Sequence, residues 1–135
     1  MNARQATYAV MNRFAGRGLS ISFEDANTLR RAELTLQRWG EQECGDSNDY
    51  NSWSIERDET TGKPFRCIYP HQSGAKVRRY AIPDRERGAL KRTKAICERN
   101  GWYYFHQTDP RGCALYVSNE PLTDSAYTNG IAVCA

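Results

Sequence analysis

The chain has 135 residues, of which 39% are hydrophobic and 26% charged, with a net charge of +3. Its length fits one domain, because two separate cores would leave each half with too little buried surface. The composition excludes a disordered chain, and no stretch approaches the roughly 20 apolar residues that cross a bilayer. The N-terminus leads into no apolar segment, so we expect no secretory signal and a cytoplasmic location.

Two helices are predicted at the start of the chain. Residues 3–14 place apolar side chains at helical spacing, and the glycines at 16 and 18 end that helix. A second helix begins after Ser22, a favourable N-cap, with Asp25 in its first turn. We expect its apolar stripe to be buried and its charged residues to face water. The stripe is Ala26, Leu29, Ala32, Leu36 and Trp39, and the charged set is Arg30, Arg31, Glu33, Arg38 and Glu41.

Three short strands are predicted in the middle of the chain. In residues 53–57 apolar and polar positions alternate, as in a half-buried strand, and residues 58–63 contain the turn sequence of a hairpin. Residues 65–69 form the returning strand, and residues 77–82 a third strand that stops at Pro83. We therefore expect a three-stranded antiparallel meander.

A third helix, over residues 84–99, separates this meander from the remaining strands. Asn100 and Gly101 are its stop signal. Residues 102–107 carry apolar side chains on both alternating sets, which predicts a strand buried on both faces. A type I turn at 109–112 leads to a partner strand at 113–118, and residues 130–134 form one more strand. The predicted fold class is a single compact α+β domain, a mainly antiparallel sheet with two or three helices on one face.

Five cysteines are present: Cys44, Cys67, Cys97, Cys113 and Cys134. Their number is odd and their spacing wide, so we expect free thiols rather than a disulfide framework. Cys67 and His71 are four residues apart, but no closely spaced cysteine pair completes a zinc signature. The sequence therefore predicts no metal and no other cofactor.

Charge is unevenly distributed along the chain. Residues 76–99 contain nine Lys or Arg against three acidic residues, whereas residues 41–60 contain seven acidic residues against one Arg. A basic segment of this density can attract an acidic partner, and neighbouring tyrosines can stack on bases. The alternative is a solvated face. The predicted partner-binding residues are Lys76, Arg78, Arg79, Arg85, Arg87, Lys91, Arg92 and Lys94.

A second candidate site lies at the end of the aromatic strand. Tyr104, His106, Asp109 and Arg111 can form a polar cluster there, in which His106 is the candidate base of an enzyme. The alternative is a hydrogen-bonded histidine beside a turn that Asp109 and Arg111 fix. No catalytic residue is assigned. The acidic loop 45–59 is a further surface that can engage a cationic partner.

Several runs resemble small proteins of unassigned function from bacteriophages, prophages and plasmids. The runs cover residues 29–44, 79–86, 88–92, 106–117 and 121–124, and the run from His106 to Val117 is the most specific. The resemblance carries no catalytic role. It implies an accessory protein of a mobile element in the cytoplasm of a bacterial host, a group that includes anti-CRISPR proteins.

Three functions follow as hypotheses. The first is a non-enzymatic binder that inhibits a host protein or nucleoprotein complex, such as a CRISPR effector. The second is a nucleic-acid-binding accessory protein that uses segment 76–94. The third is a small enzyme centred on His106 and Asp109. No membrane partner is expected, and the sequence leaves the oligomeric state open.

Overall fold

Four helices form in the part of the chain that the structure describes. The structure is a computed structural model and describes residues 1–44, 52–70, 73–108, 114–123 and 126–134. The helices are α1 (Ala3–Gly16), α2 (Phe23–Cys44), α3 (Asp84–Asn100) and the short α4 (Ala126–Asn129). Within these ranges, no helix has the length and hydropathy that a bilayer crossing requires.

The helix ends follow the local sequence signals. Asn2 and Gln5 form a reciprocal capping box at the start of α1. The Ser22 hydroxyl accepts a hydrogen bond from the Asp25 N–H, which confirms the predicted cap of α2. α3 ends at Gly101, whose φ of 71° is left-handed, and the Trp102 N–H donates to the Cys97 carbonyl at 2.8 Å.

Six strands of the described residues pair into one antiparallel sheet. They are β1 (Ser52–Arg57), β2 (Pro64–Tyr69), β3 (Arg78–Ala81), β4 (Tyr103–Thr108), β5 (Leu115–Ser118) and β6 (Ile131–Ala132). Their order in the sheet is β3-β2-β1-β4-β5-β6. The predicted meander is confirmed by the first three strands, and α3 connects the edge strand β3 to β4 on the other side of β1. The α+β fold class is thereby confirmed.

Helices α1, α2 and α3 cover one face of the sheet and bury two apolar clusters against it. One cluster joins α1 and the start of α2 to β5 and β6 through residues such as Phe14, Leu29 and Val117. The other joins the later part of α2 and α3 to β1 and β2 and includes Leu36 and Trp53. The predicted apolar stripe of α2 is confirmed, since all five of its members are buried.

A buried arginine lies between two tryptophans in the second cluster. The guanidinium carbon of Arg66 is 4.3 Å from the ring centroids of both Trp39 and Trp53, and the residue is fully buried. A planar guanidinium suits this stacked geometry, and its charge is favoured by the two ring faces. Through this stacking, Arg66 of β2 contacts both Trp39 of α2 and Trp53 of β1 and so stabilises the packing of α2 on the sheet.

The prediction that Glu33 faces water is wrong. Glu33 is fully buried, and its carboxylate accepts a hydrogen bond from the backbone N–H of Ala114 at 3.1 Å. At 100° per residue, Glu33 projects within the arc of the apolar stripe, between the directions of Ala26 and Leu29. The backbone just before β5 comes so close to this part of α2 that the carboxylate satisfies a buried backbone donor there.

The prediction that the aromatic strand is buried on both faces is also wrong. Tyr103 at the start of β4 is 49% exposed, on the sheet face opposite α1, α2 and α3. The same face is buried over β5, where Tyr116 and Ser118 are 5% and 4% exposed. The open face also carries Tyr69 and Arg79. The predicted turn at 109–112 lies outside the described residues, as do Cys113 and His71. Among the described residues, Cys67 and Cys97 are buried thiols outside any disulfide, and the Cys134 thiol donates to the Arg30 carbonyl at 4.0 Å.

Candidate functional site

A cleft of about 500 Å³ opens between α3, the β1–β2 hairpin and β4. We call it the basic cleft. Residues 55–64 of the hairpin form one wall, residues 87–94 of α3 the other, and residues 104–106 of β4 the base. Its volume lies within the range of roughly 300–1,000 Å³ that ligand pockets occupy.

Cationic side chains surround the basic cleft, and no described Asp or Glu is among its lining residues. On α3 the positions 87, 91 and 94 follow helical spacing and therefore share one flank of the helix. The hairpin supplies two more cations from the opposite wall. Five like charges around one concave surface raise the local concentration of anions. The set is Arg57, Lys63, Arg87, Lys91 and Lys94.

Three of these cations already have a local partner. Arg57 donates a hydrogen bond to the Gly62 carbonyl at 3.1 Å. Arg87 forms an ion pair with Asp84, and Lys94 lies 3.8 Å from Glu98. Both ion pairs are solvent-exposed and therefore contribute little energy, so an anionic ligand can compete with them. In the described part of the chain, no ion pair engages the other two members of the set.

Apolar and aromatic residues complete the lining of the basic cleft. The walls contribute the aliphatic side chains of Ile55, Pro64 and Leu90, which lie beside Tyr104 of the base. Burial raises the pKa of the Tyr104 hydroxyl, although a hydrogen bond with Arg57 acts in the opposite direction. The phenol therefore stays protonated at neutral pH. The cleft thus combines cationic side chains with an apolar and aromatic lining.

His106 lies beside Tyr104 at the base of the cleft and is 4% exposed. The two rings meet edge to face, with centroids 5.7 Å apart. Neither imidazole nitrogen has a hydrogen-bond partner among the described residues. Burial lowers the pKa of His106 to about 3. The imidazole is neutral at physiological pH and adds no charge to the cleft.

The arrangement around His106 disfavours the enzyme hypothesis. A general base works best when its pKa is near the working pH, and that of His106 lies far below neutrality. Its nitrogens are also screened from solvent. Of the four residues in the predicted cluster, Tyr104 and His106 lie together, whereas Asp109 and Arg111 lie outside the described residues.

A second basic pocket, of about 400 Å³, lies between α2 and α3. We call it the α2–α3 pocket. Its lining residues are Thr28, Arg31, Thr35, Arg85 and Arg92. Both threonine hydroxyls donate to carbonyls of their own helix. The three arginines are exposed and form no ion pair within the described ranges.

The predicted partner-binding residues divide between several surfaces. Three belong to the basic cleft (Arg87, Lys91, Lys94) and two to the α2–α3 pocket (Arg85, Arg92). Lys76 and Arg78 are exposed at the sheet edge, outside both pockets. Arg79 lies on the open face of the sheet, with its guanidinium carbon 4.7 Å from the ring centroid of Phe65. Segment 76–94 therefore does not form one continuous surface.

Sequence reasoning missed three cations that complete the two pockets. The sequence predicts Arg57 and Lys63 only as strand and turn residues of the hairpin, and Arg31 as part of the charged, solvent-facing side of the second helix. Each becomes part of a pocket only through tertiary packing. No local sequence signal marks them as pocket residues.

One residue of the acidic loop 45–59 has a structural role. The Asp58 carboxylate accepts hydrogen bonds from the backbone N–H groups of Thr61 and Thr60, which lower its pKa. Asp58 therefore fixes the turn of the β1–β2 hairpin. Glu59 is exposed, and residues 45–51 lie outside the described ranges.

The chain matches no protein-family model, no curated protein and no solved structure at a significant level.

Proposed function

We propose that the protein is a non-enzymatic module that binds nucleic acid through the basic cleft. The observation that supports this proposal is a concave surface lined by five cations and by no described carboxylate. Phosphate contacts from Lys and Arg supply most of the non-specific affinity for nucleic acid. The apolar lining beside Tyr104 offers surface for a sugar or a base.

Inhibition of a host nucleoprotein, such as a CRISPR effector, remains a proposal that rests on the sequence resemblance. A basic cleft is suited to such a role, because it can contact the nucleic acid of a nucleoprotein or compete for it. An acidic patch on a host protein is the other chemistry that the cleft can accept. Location in the bacterial cytoplasm is part of the same proposal.

Fluorescence anisotropy with a labelled oligonucleotide of mixed sequence, in single- and double-stranded form, tests nucleic-acid binding. Lys63→Gln combined with Lys91→Gln removes one cation from each wall of the cleft. Arg4→Gln combined with Arg17→Gln removes the same charge at exposed positions outside both basic pockets. We expect the first pair to weaken binding at least tenfold and the control pair to weaken it less than twofold.

Absence of binding to either form at low salt would reject the proposal. A pull-down from bacterial lysate, treated with nuclease or left untreated, then distinguishes an acidic protein partner from a nucleoprotein. Equal weakening by the two pairs of substitutions would show that net charge, rather than the cleft, attracts the oligonucleotide.

A further inference from the structure

Helix α3 has a basic pocket on each of its flanks. Arg87, Lys91 and Lys94 face the basic cleft, whereas Arg85 and Arg92 face the α2–α3 pocket. At about 100° per residue, these two rows point roughly 140° apart around the helix axis. The cleft is completed by cations of the β1–β2 hairpin and the α2–α3 pocket by a cation of α2.

Small residues occupy the surface of α3 between the two rows. Gly88 and Ala95 lie there, and Ala95 is exposed. One terminal guanidinium nitrogen of Arg92 lies 3.2 Å from the point that a Cβ at Gly88 would occupy, so this arginine folds over the glycine. Along the middle of the helix, only Gly88, Ala95 and the folded Arg92 side chain therefore lie between the two basic rows, with the exposed Asp84 and Glu98 on the same arc towards the helix ends.

We propose that α3 lies in the major groove of double-stranded DNA, with one phosphate strand on each flank. This inference rests on the proposed binding of nucleic acid. An α-helix with side chains is roughly 10–12 Å across, and the major groove of B-form DNA is about 12 Å wide. A helix in that groove has a phosphate backbone on either side, which matches the two separated basic rows.

Other nucleic acids match this arrangement less well. The major groove of an A-form RNA duplex is deep and narrow, so a helix cannot enter it. A single strand has one backbone and can occupy the basic cleft while leaving the α2–α3 pocket empty. Charge on both flanks of one helix therefore favours duplex DNA.

Anisotropy titrations at several KCl concentrations test this geometry. The probes are a 20-base-pair DNA duplex, one of its strands alone, and an RNA duplex of the same sequence. Lys91→Gln with Lys94→Gln alters the cleft flank, and Arg85→Gln with Arg92→Gln alters the pocket flank. Since each phosphate contact contributes about 0.9 to the log–log salt slope, each pair should lower the slope for duplex DNA by about 1.8. Arg4→Gln with Arg17→Gln should leave the slope unchanged.

A groove-specific probe complements the titrations. Dimethyl sulfate methylates guanine N7, which lies in the major groove. We expect protection of N7 within the bound site, and we expect this protection to disappear when Lys91→Gln and Lys94→Gln are combined with Arg85→Gln and Arg92→Gln. Circular dichroism checks that all variants, whose altered residues are exposed, keep the wild-type fold.

Three results would each overturn this inference while leaving nucleic-acid binding intact. In the first, the pocket-flank pair behaves like the control pair, whereas the cleft-flank pair weakens binding. In the second, the single strand or the RNA duplex binds as tightly as the DNA duplex. In the third, guanine N7 stays reactive in the bound site. If no probe binds, the proposed function fails as well.

Discussion

His106 is a buried polar side chain whose two nitrogens have no hydrogen-bond partner in the described part of the chain. Most buried polar groups in proteins are paired, so such a group is energetically unfavourable. The histidine is tolerated because it is neutral, and its ring packs edge to face on Tyr104. Protonation would place an unpaired charge in the core.

Acid should therefore destabilise the protein through His106. Burial lowers its pKa to about 3 in the folded state, against about 6.5 in the unfolded chain. Between these values the unfolded state binds a proton that the folded state does not, so stability falls as the pH drops below about 6.5. From pH 7.5 to pH 5 this linkage removes about 2 kcal/mol from the free energy of unfolding.

Urea unfolding of the wild type, His106→Phe and His106→Leu at pH 7.5, 6 and 5 measures this effect. Either variant should lose about 2 kcal/mol less than the wild type over that range. Tyr104→Phe, which keeps the histidine, serves as the control and should retain the wild-type pH dependence. Parallel pH profiles for all four proteins would show that His106 is charged or solvated in the folded state.

At the scale of single elements, helix ends depend on the backbone angles of a few residues. Gly101 ends α3 with a φ of 71°, which L-residues with a Cβ adopt at a cost. Gly16 lies in the last turn of α1, where φ is not positive and no atom stands within 4 Å of an added Cβ. The two glycines therefore respond to alanine in opposite directions.

Gly101→Ala should destabilise the protein by about 1–2 kcal/mol, since space is open there and only the left-handed backbone opposes a Cβ. Gly16→Ala should stabilise it by about 0.5–1 kcal/mol, because it reduces the entropy of the unfolded chain. Thermal unfolding of both variants measures the two shifts. If Gly101→Ala also stabilised the protein, the αL termination of α3 would be wrong.

Elements were predictable from the sequence wherever local chemistry dictates them. Ser22 caps α2, Gly101 ends α3, and alternation in residues 53–57 gives a strand. Burial was less predictable, because it depends on which face of the sheet the helices cover. Predictions of burial fail in both directions. Tyr103 is predicted to be buried but is exposed, and Glu33 is predicted to face water but is buried.

The candidate site was only half predictable for the same reason. The basic segment and the aromatic strand end were each recognisable, yet nothing in the sequence shows that α3 packs beside β4 and brings Lys91 near Tyr104. The hairpin cations Arg57 and Lys63 lie more than 20 residues before α3 in the chain. Their convergence is a consequence of topology alone.

The whole molecule has two unlike sides. The helix side carries the basic cleft and the α2–α3 pocket. The open side of the sheet carries Glu56, whose carboxylate accepts hydrogen bonds from the hydroxyls of Tyr69 and Ser54. Burial acts to raise the pKa of Glu56, but these bonds and the charge of Arg79 lower it overall. An anionic carboxylate on this side repels phosphate.

Substitution of Arg79 therefore tests whether nucleic-acid binding is confined to the helix side of the molecule. Arg79 lies on β3 opposite Cys67, on the sheet face away from the helices, where it stacks on Phe65. Arg79→Gln and Lys91→Gln each remove one positive charge from an exposed position. If the helix side alone contacts phosphates, Lys91→Gln lowers the log–log salt slope for duplex DNA by about 0.9, whereas Arg79→Gln leaves it unchanged.

Anisotropy titrations of both variants and the wild type at several KCl concentrations measure the two slopes. The comparison separates local contact from long-range attraction, because exposed charges farther apart than about 8–10 Å are largely screened at physiological ionic strength. Equal losses of slope would mean that the sheet face of Arg79 also reaches phosphate, and the surface that binds nucleic acid would then have to extend around the β3 edge, where Lys76 and Arg78 are exposed.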